Sequence, residues 1–286
     1  MIIDMHTHTF PDALAATTIP MLEQKSHTRS WSDGTAKGLM DSMKAAGVDC
    51  SVVLPVATAP RQVVHINDRA AQVNERFAET GICSLGSMHP DFPDYRQELA
   101  RLAEMGFRGI KLHPVYQGVA FDDIRTLRVL ERAAELGLVV LSHGGLDVGF
   151  PGVEQVSPAM VRRALDQVGD IPLIMAHMGG WRNWDQVEEL LADTKVCLDT
   201  SYALGQVDAL DDGFYGPEDL PMMGEEQFVR MVRTFGYQRI LFGTDSPWKG
   251  QKESVAQIRA LPLSEEEKTA ILGGNAQRVL NLPERG

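Results

Sequence analysis

Cysteine is scarce in this chain: Cys50, Cys83 and Cys197 are the only three in 286 residues, far apart and set in or beside apolar runs. An odd, scattered trio is neither a disulfide framework nor a zinc knuckle, and reads as reduced core side chains. Basic charge is also short. Lysine and arginine number 27 against 39 aspartates and glutamates, a formal charge of −12 at pH 7, which argues against a nucleic-acid or anionic-membrane surface. No apolar run approaches the roughly 18 to 20 residues of a membrane span, and the first residues lack the basic segment and apolar core of a secretory signal. The protein is therefore expected to be cytoplasmic. Aromatics supply only 7% of residues, but hydrophobic residues supply 44%, enough for one large core or two small ones. Two catalytic signatures are missing: no glycine-rich phosphate turn follows the first strand, and there is no G-X-S-X-G elbow. With no repeat, low-complexity tract or linker to divide it, the chain is read as one domain over residues 1–286.

What is present is a regular alternation. Short β-rich apolar runs occur at Ile2 to Thr9, Ser51 to Pro55, Ile82 to Met88, Gly109 to Leu112, Leu138 to Ser142, Pro172 to Ala176, Val196 to Asp199 and Ile240 to Gly243. Between them lie helical patterns, clearest at Asp122 to Leu136, where Ile124, Leu127, Leu130 and Ala134 form an apolar stripe against Arg125, Arg128, Glu131 and Glu135. Similar patterns cover about Ala36 to Ala46, Gln62 to Thr80, Asp94 to Met105, Pro158 to Val168, Trp184 to Ala192 and Glu225 to Phe235. Gly47, Gly81, Gly106, Gly137, Gly169 and Gly236 each close a helical stretch just before the next strand.

Eight strands alternating with helices, at roughly thirty residues per unit, specify a (β/α)8 barrel, a TIM barrel of the α/β class. An open doubly wound sheet is the alternative, but it usually carries a phosphate turn after its first strand. Two connections exceed what the pattern needs: Thr9 to Thr35, and Ser201 to Gly224 with Asp208, Asp211, Asp212, Tyr215 and Pro217. Both follow strand ends at the rim where barrel enzymes place their chemistry, and both read as long structureless loops, either functional lids or mobile segments. The tail, Ser264 to Leu282, reads as two short helices, the first with a Ser264/Glu267 capping box and the second capped by Asn275.

The chain is organised around its first strand, I-I-D-M-H-T-H-T. Strict alternation puts Asp4, His6 and His8 on one face and Met5 and Thr7 on the other, so two imidazoles converge on a point suited to a Zn²⁺-type ion. The other strand ends add Lys111 and His113, His143, His177 and Asp245. Residues so distant in sequence meet only if they sit on strand ends of one face. Parity agrees, since Leu141 shares a face with His143, Met175 with His177, and Leu241 with Gly243 and Asp245.

The set D-M-H-T-H, G-I-K-L-H-P, L-S-H-G-G, M-A-H-M-G-G, L-F-G-T-D-S-P-W and G-G-N-A-Q-R-V-L resembles the amidohydrolase superfamily, in particular its amidohydrolase-2 branch of metal-dependent hydrolases and decarboxylases. The resemblance spans Ile2 to Leu280. It implies a distorted barrel with a divalent metal at the C-terminal strand ends, usually zinc and sometimes manganese. By that resemblance His6, His8, His143 and Asp245 correspond to metal ligands, and His177 to the strand-six histidine that does proton work beside one ion or ligates a second. Lys111 either anchors a substrate carboxylate or phosphate, or is carboxylated and bridges two ions. One ion is the expectation and two the alternative. Homo-oligomerisation is a further expectation carried by the resemblance alone.

The expected mechanism follows from charge. An ion held by imidazoles and one carboxylate makes hydroxide available near neutral pH. Asp245 can accept and return the proton while His177 polarises or protonates the substrate oxygen. Asp4 is either a carboxylate supporting an imidazole N–H or a buried group satisfied by backbone donors. His113 either touches substrate or packs a loop, and His89 divides the same way. Trp181, Arg182, Tyr202, Trp248 and Lys249 are candidate pocket residues, the cations for an anionic substrate. Gly144-Gly145 and Gly179-Gly180 are read as places where substrate or metal approaches the backbone. The leading function is a metal-dependent hydrolase of a small, carboxylated lactone, amide or ester. The alternatives are a non-oxidative decarboxylase of an aromatic or unsaturated acid, and a non-catalytic binding barrel.

Overall fold

The computed structural model describes residues 1–216 and 218–282; Pro217 of the second long connection and residues 283–286 lie outside it. The strands are β1 (Ile3–Thr7), β2 (Cys50–Val53), β3 (Ile82–Ser84), β4 (Gly86–Ser87), β5 (Gly109–Leu112), β6 (Val139–Ser142), β7 (Leu173–Met175), β8 (Cys197–Asp199) and β9 (Ile240–Leu241). They occupy the eight expected runs, the third being split at Leu85. Every pairing is parallel, in the orders β1-β2-β3 and β4 through β9. A bond from Leu85 N to Val53 O of 3.0 Å spans the split. Met5 N to Phe242 O at 2.8 Å, Asp245 N to His6 O at 2.8 Å and His8 N to Ser246 O at 2.6 Å join the run after β9 to β1. These bonds close the ring as a (β/α)8 barrel and leave no place for the open-sheet alternative.

Two apolar layers hold the ring. Outside it, Leu39, Leu102, Ile110, Leu130, Val187 and Phe228 belong to the large core between strands and helices. Inside it, Ile3, Met5, Val52, Leu85, Leu141, Ile174 and Leu241 form a second cluster, joined by Ala276 and Leu280 from the tail. Strands buried on both faces are what continuous Val/Ile/Leu runs in a parallel barrel produce. The helices start where the sequence offers caps: Thr35 accepts from Gly38 N, Asp123 from Arg125 N and Ser157 from Met160 N. They stop at glycine, as at Gly47 (φ 68°) and Gly137 (φ 69°).

Strict alternation fails in β1. The register against β2 shifts between Asp4 and Thr7, so the pairing is irregular between the two halves of the strand. Ile3 and Met5 join the inner cluster, while Asp4 meets Ser51's partner Gln251, from the helix Gln251–Ala260. Asp4 therefore does not share the environment of His6 and His8.

The first long connection is not structureless. It carries α1 (Asp12–Ser26), a helix with Pro20 inside it and Leu14 and Met21 exposed. Its end is stapled to the connection after β8. Arg29 N donates to Asp208 O at 2.7 Å, Leu210 N to His27 O at 2.8 Å, and Thr28 and Ala209 form an antiparallel bridge. His27 stacks on Phe214 at 3.6 Å and pairs with Asp212, while Arg29 pairs with Asp211. Together these segments roof the barrel mouth. In the tail, Ser264 and Glu267 form the expected capping box, but Asn275 caps nothing. A π-helical turn, Ala270–Gly274, runs into the last helix, and the Asn275 amide instead donates to the carbonyls of Tyr237 and Ile240.

Candidate metal centre

Where β1 meets the turn after β9, three ligand atoms converge. His6 Nε2 and His8 Nε2 are 3.2 Å apart, and Asp245 Oδ1 lies 3.3 Å from the first and 3.1 Å from the second. Donors on a tetrahedral ion with bonds of 2.0 to 2.1 Å stand about 3.3 Å apart. The outer nitrogens fix the tautomers. His8 Nδ1 lies 2.9 Å from the carbonyl of Leu54, which can only accept, so the proton is on Nδ1 and Nε2 presents a lone pair. His6 Nδ1, 2.9 Å from the Asp199 carboxylate, is fixed in the same way.

The same reasoning applies to a neighbouring pair. His177 Nδ1 is 3.0 Å from the carbonyl of Ser201, and His143 Nε2 is 3.2 Å from the carbonyl of Leu146. The remaining atoms, His177 Nε2 and His143 Nδ1, face each other at 3.0 Å as two lone pairs. Four imidazoles and one carboxylate thus turn acceptors inward, a repulsive arrangement that a cation relieves. Burial pushes the basicity of His6, His143 and His177 down, favouring the neutral, ligating form. The donor set fits a divalent ion. His143, expected beside His6, His8 and Asp245, stands instead against His177, outside the convergent triad.

A second cluster, His113, His143 and Asp147, also gathers ligand atoms within 4.8 Å. Its His143 Nε2, 3.9 Å from Asp147 Oδ2, already faces the Leu146 carbonyl, whereas His113 Nδ1 is buried without a hydrogen-bond partner. Lys111 is buried with its Nζ 3.4 Å from His6 Nε2, and burial pushes its pKa down to about 8.

The supporting carboxylate is Asp199, which the sequence reading passed over. It accepts from His6 Nδ1, from His177 N at 3.2 Å, from Ser201 N at 3.0 Å and from the Ser201 hydroxyl. The signal was available, since Asp199 ends a strand between two others whose ends carry His177 and Asp245. Asp4, expected in that role, accepts instead from His6 N, Thr244 N, Thr244 Oγ and Gln251 Nε2. Burial pushes its pKa up to about 7. Asp4 thus orders the backbone on either side of the centre, not a ring.

Sharp turns aim two of these side chains. His177 (φ 60°) and Asp245 (φ 70°) adopt the left-handed conformation just past their strands, at roughly 1 to 2 kcal/mol each. Such strain collects where a site must be held against local preference. The expected parity of Met175 with His177 is broken by this turn. The glycine pairs do not open the backbone to substrate: a Cβ on Gly144 would fall 2.8 Å from Gly179 O, and one on Gly145 2.4 Å from Trp181 N. They let the loops after β6 and β7 pack backbone to backbone.

Above the centre lies a cavity of about 290 Å³, walled by Phe10, Leu54, Leu146, Trp181 and Trp248 and edged by Lys25, Tyr116 and Asp147. Trp181, Tyr202, Trp248 and His113 reach it as expected. Arg182 and Lys249 do not: Arg182 is exposed over the Trp181 ring, and Lys249 is buried with its ammonium on the Leu204 carbonyl. His89 is a packing residue whose Nδ1 accepts from Asp91 N at 3.1 Å. Lys25 comes from α1, which the sequence did not announce.

The family model for amidohydrolases matches residues 3–282. The chain belongs to the amidohydrolase family. Its fold recurs in an uncharacterised TIM-barrel protein from Bordetella bronchiseptica, at 19% identity and a TM-score of 0.75 over 98% of both chains. A 5-carboxyvanillate decarboxylase from Novosphingobium aromaticivorans, with bound manganese, aligns at 13% identity and 0.70 over 99% of this chain and 97% of that one. A protein described as a 2-pyrone-4,6-dicarboxylic acid hydrolase from Pseudomonas putida aligns at 20% and 0.63 over 98% and 97%. No curated protein matches this amidohydrolase in sequence. The fold neighbours thus include decarboxylases, two of them described with bound manganese, and a protein described as a hydrolase.

Proposed function

We propose that this amidohydrolase is a metal-dependent hydrolase of a small, carboxylated lactone, amide or ester. The observation that carries the reading is the inward turn of acceptors at His6, His8 and Asp245, each imidazole pinned from behind. These three residues would hold the ion, and His143 with His177 would complete its shell or hold a second one bridged by a carboxylated Lys111. When bound, such an ion lowers the pKa of water towards roughly 7 and polarises a carbonyl. Zinc suits the borderline nitrogen donors, and manganese is the alternative because a fold neighbour holds it. Asp245 accepts the proton of the attacking water and returns it to the leaving group. Where His177 does not ligate, its Nε2 takes up a proton and then donates to the substrate oxygen, with Nδ1 kept on the Ser201 carbonyl. Lys111, if it remains an ammonium, donates to a substrate carboxylate.

A second reading is supported by the apolar walls of the cavity, which strip water from a carboxylate, and by decarboxylases among the fold neighbours. In it a proton that Asp245 or His177 has first taken from water is passed to the aromatic or unsaturated carbon, replacing the departing CO₂ there.

The test is elemental analysis followed by a paired screen of lactones and benzoate-type acids, recording acid release against CO₂ release. The expected result is about one divalent ion per chain, loss of turnover on chelation and recovery with Zn²⁺ or Mn²⁺. Acid release from a lactone supports the first reading and CO₂ the second. A chain that retains no ion and gains no turnover with either metal is not this enzyme.

A further inference from the structure

A row of rings leads from the proposed centre to the mouth. His143 meets His177 edge-on with centroids 4.7 Å apart, and His113 lies parallel to His143 at 4.3 Å. Tyr116 stands edge-on to His113 at 4.5 Å, and Phe150 edge-on to Tyr116 at 4.8 Å. At the far end Lys25, in the last turn of α1, places its Nζ 3.3 Å from the centre of the Phe150 ring and 5.2 Å from that of Tyr116. The wall thus begins at imidazoles and ends at an ammonium.

Among the described residues Lys25 is the one lysine or arginine lining this cavity. Its described contacts are those two rings, with no carboxylate in ion-pair reach. The Asp147 carboxylate feels its charge from further off. An ammonium held over ring faces keeps its position without spending its hydrogen-bond donors. A carboxylate arriving along the wall would find those donors available.

We propose that Lys25 is a specificity-determining residue that pairs with a second anionic group at the end of the substrate away from His6 and Asp245. The substrate class is then a flat diacid, not a monoacid. The assignment rests on the reading of the centre proposed above. A monoacid engaged at the centre leaves Lys25 on its rings; a diacid of the right length spans centre and mouth with its flat body against His113 and Tyr116.

Trp181 and Trp248 line the same cavity, so their fluorescence reports occupancy. Benzoate, isophthalate and terephthalate are titrated into the metal-loaded protein, its Lys25→Met and Lys25→Arg variants, and the chelator-stripped protein. Wild type is expected to bind one of the diacids about threefold or more tighter than benzoate, the scale of a partly exposed ion pair. Lys25→Met should abolish that preference with benzoate affinity unchanged, and Lys25→Arg should keep it. A preference that survives in Lys25→Met overturns the proposal, as does a wild type that prefers neither diacid or binds none of the probes. Benzoate binding indifferent to metal removal counts against the centre itself; metal-dependent binding without diacid preference counts against Lys25 alone.

Discussion

At the floor of the cavity each ligand nitrogen is positioned by a partner that the barrel supplies, whereas at its roof several of the fixing contacts stand in solvent. His6 rests on Asp199, and both are buried. Arg29 rests on Asp211, and the two are 50% and 94% exposed. In the dry floor an unmet donor or acceptor is costly, so partners are specified residue by residue. Around the wet roof water substitutes for any partner, and an exposed ion pair contributes less than about 1 kcal/mol. A rigid floor can hold ligand geometry while a loosely stapled roof lets substrate in and product out.

The largest break in that contrast should come from Asp245→Asn. Asparagine tolerates the left-handed backbone at this position, so the variant is expected to fold, yet turnover should fall about a thousandfold or more. Steady-state rates together with metal content check it, and a folded variant keeping a tenth of wild-type rate would contradict it.

Lys249 sits at the joint of floor and roof, its ammonium on the Leu204 carbonyl, and burial pushes its pKa down from 10.5 to about 8. A lysine whose folded pKa is depressed is a liability below about pH 8. That liability disappears as pH rises towards 10.5, because the folded state gives up the proton first. Wild type should therefore gain about 3 kcal/mol relative to Lys249→Met between pH 8 and 10.5. Parallel denaturation profiles of the two proteins across that range would refute the assignment.

Asp199→Asn should lower metal affinity about ten- to a hundredfold by releasing the His6 tautomer, measured by competition with a chelator. An unchanged affinity would mean that the Ser201 hydroxyl, 2.9 Å from His6 Nδ1, suffices by itself. The smallest effect belongs to the roof: Arg29→Ala should cost less than about 1 kcal/mol of stability and act chiefly on KM, with kcat preserved. A large stability loss there would erase the distinction between the two regions.

The floor was legible in the sequence because barrel geometry converts strand ends into neighbours. His6, His8, His177 and Asp245 follow from counting strands. What escaped was local: the register shift in β1 at Asp4 and the left-handed turn that broke parity at His177. Asp199 obeyed the counting rule and was missed for want of applying it to every strand. The roof was illegible for a different reason. Helix α1 begins after Pro11 without a side-chain cap, carries Pro20 within and ends at His27, not at a glycine, so only Asp12 in its first turn and Lys25 in its last mark it. Its partners, Asp208 to Phe214, lie some 180 residues away and pair in part through backbone atoms that any residue could supply.

The outer contacts of the four imidazoles bear on how such a site can change. His8, His143 and His177 are pinned by the main-chain carbonyls of Leu54, Leu146 and Ser201, which substitution does not remove. His6 alone is pinned by a carboxylate side chain. Asp199, together with Ser201, whose hydroxyl lies 2.9 Å from His6 Nδ1 and 3.0 Å from His177 Nδ1, is thus where mutation can adjust the electron donation of this centre while leaving its ligands in place.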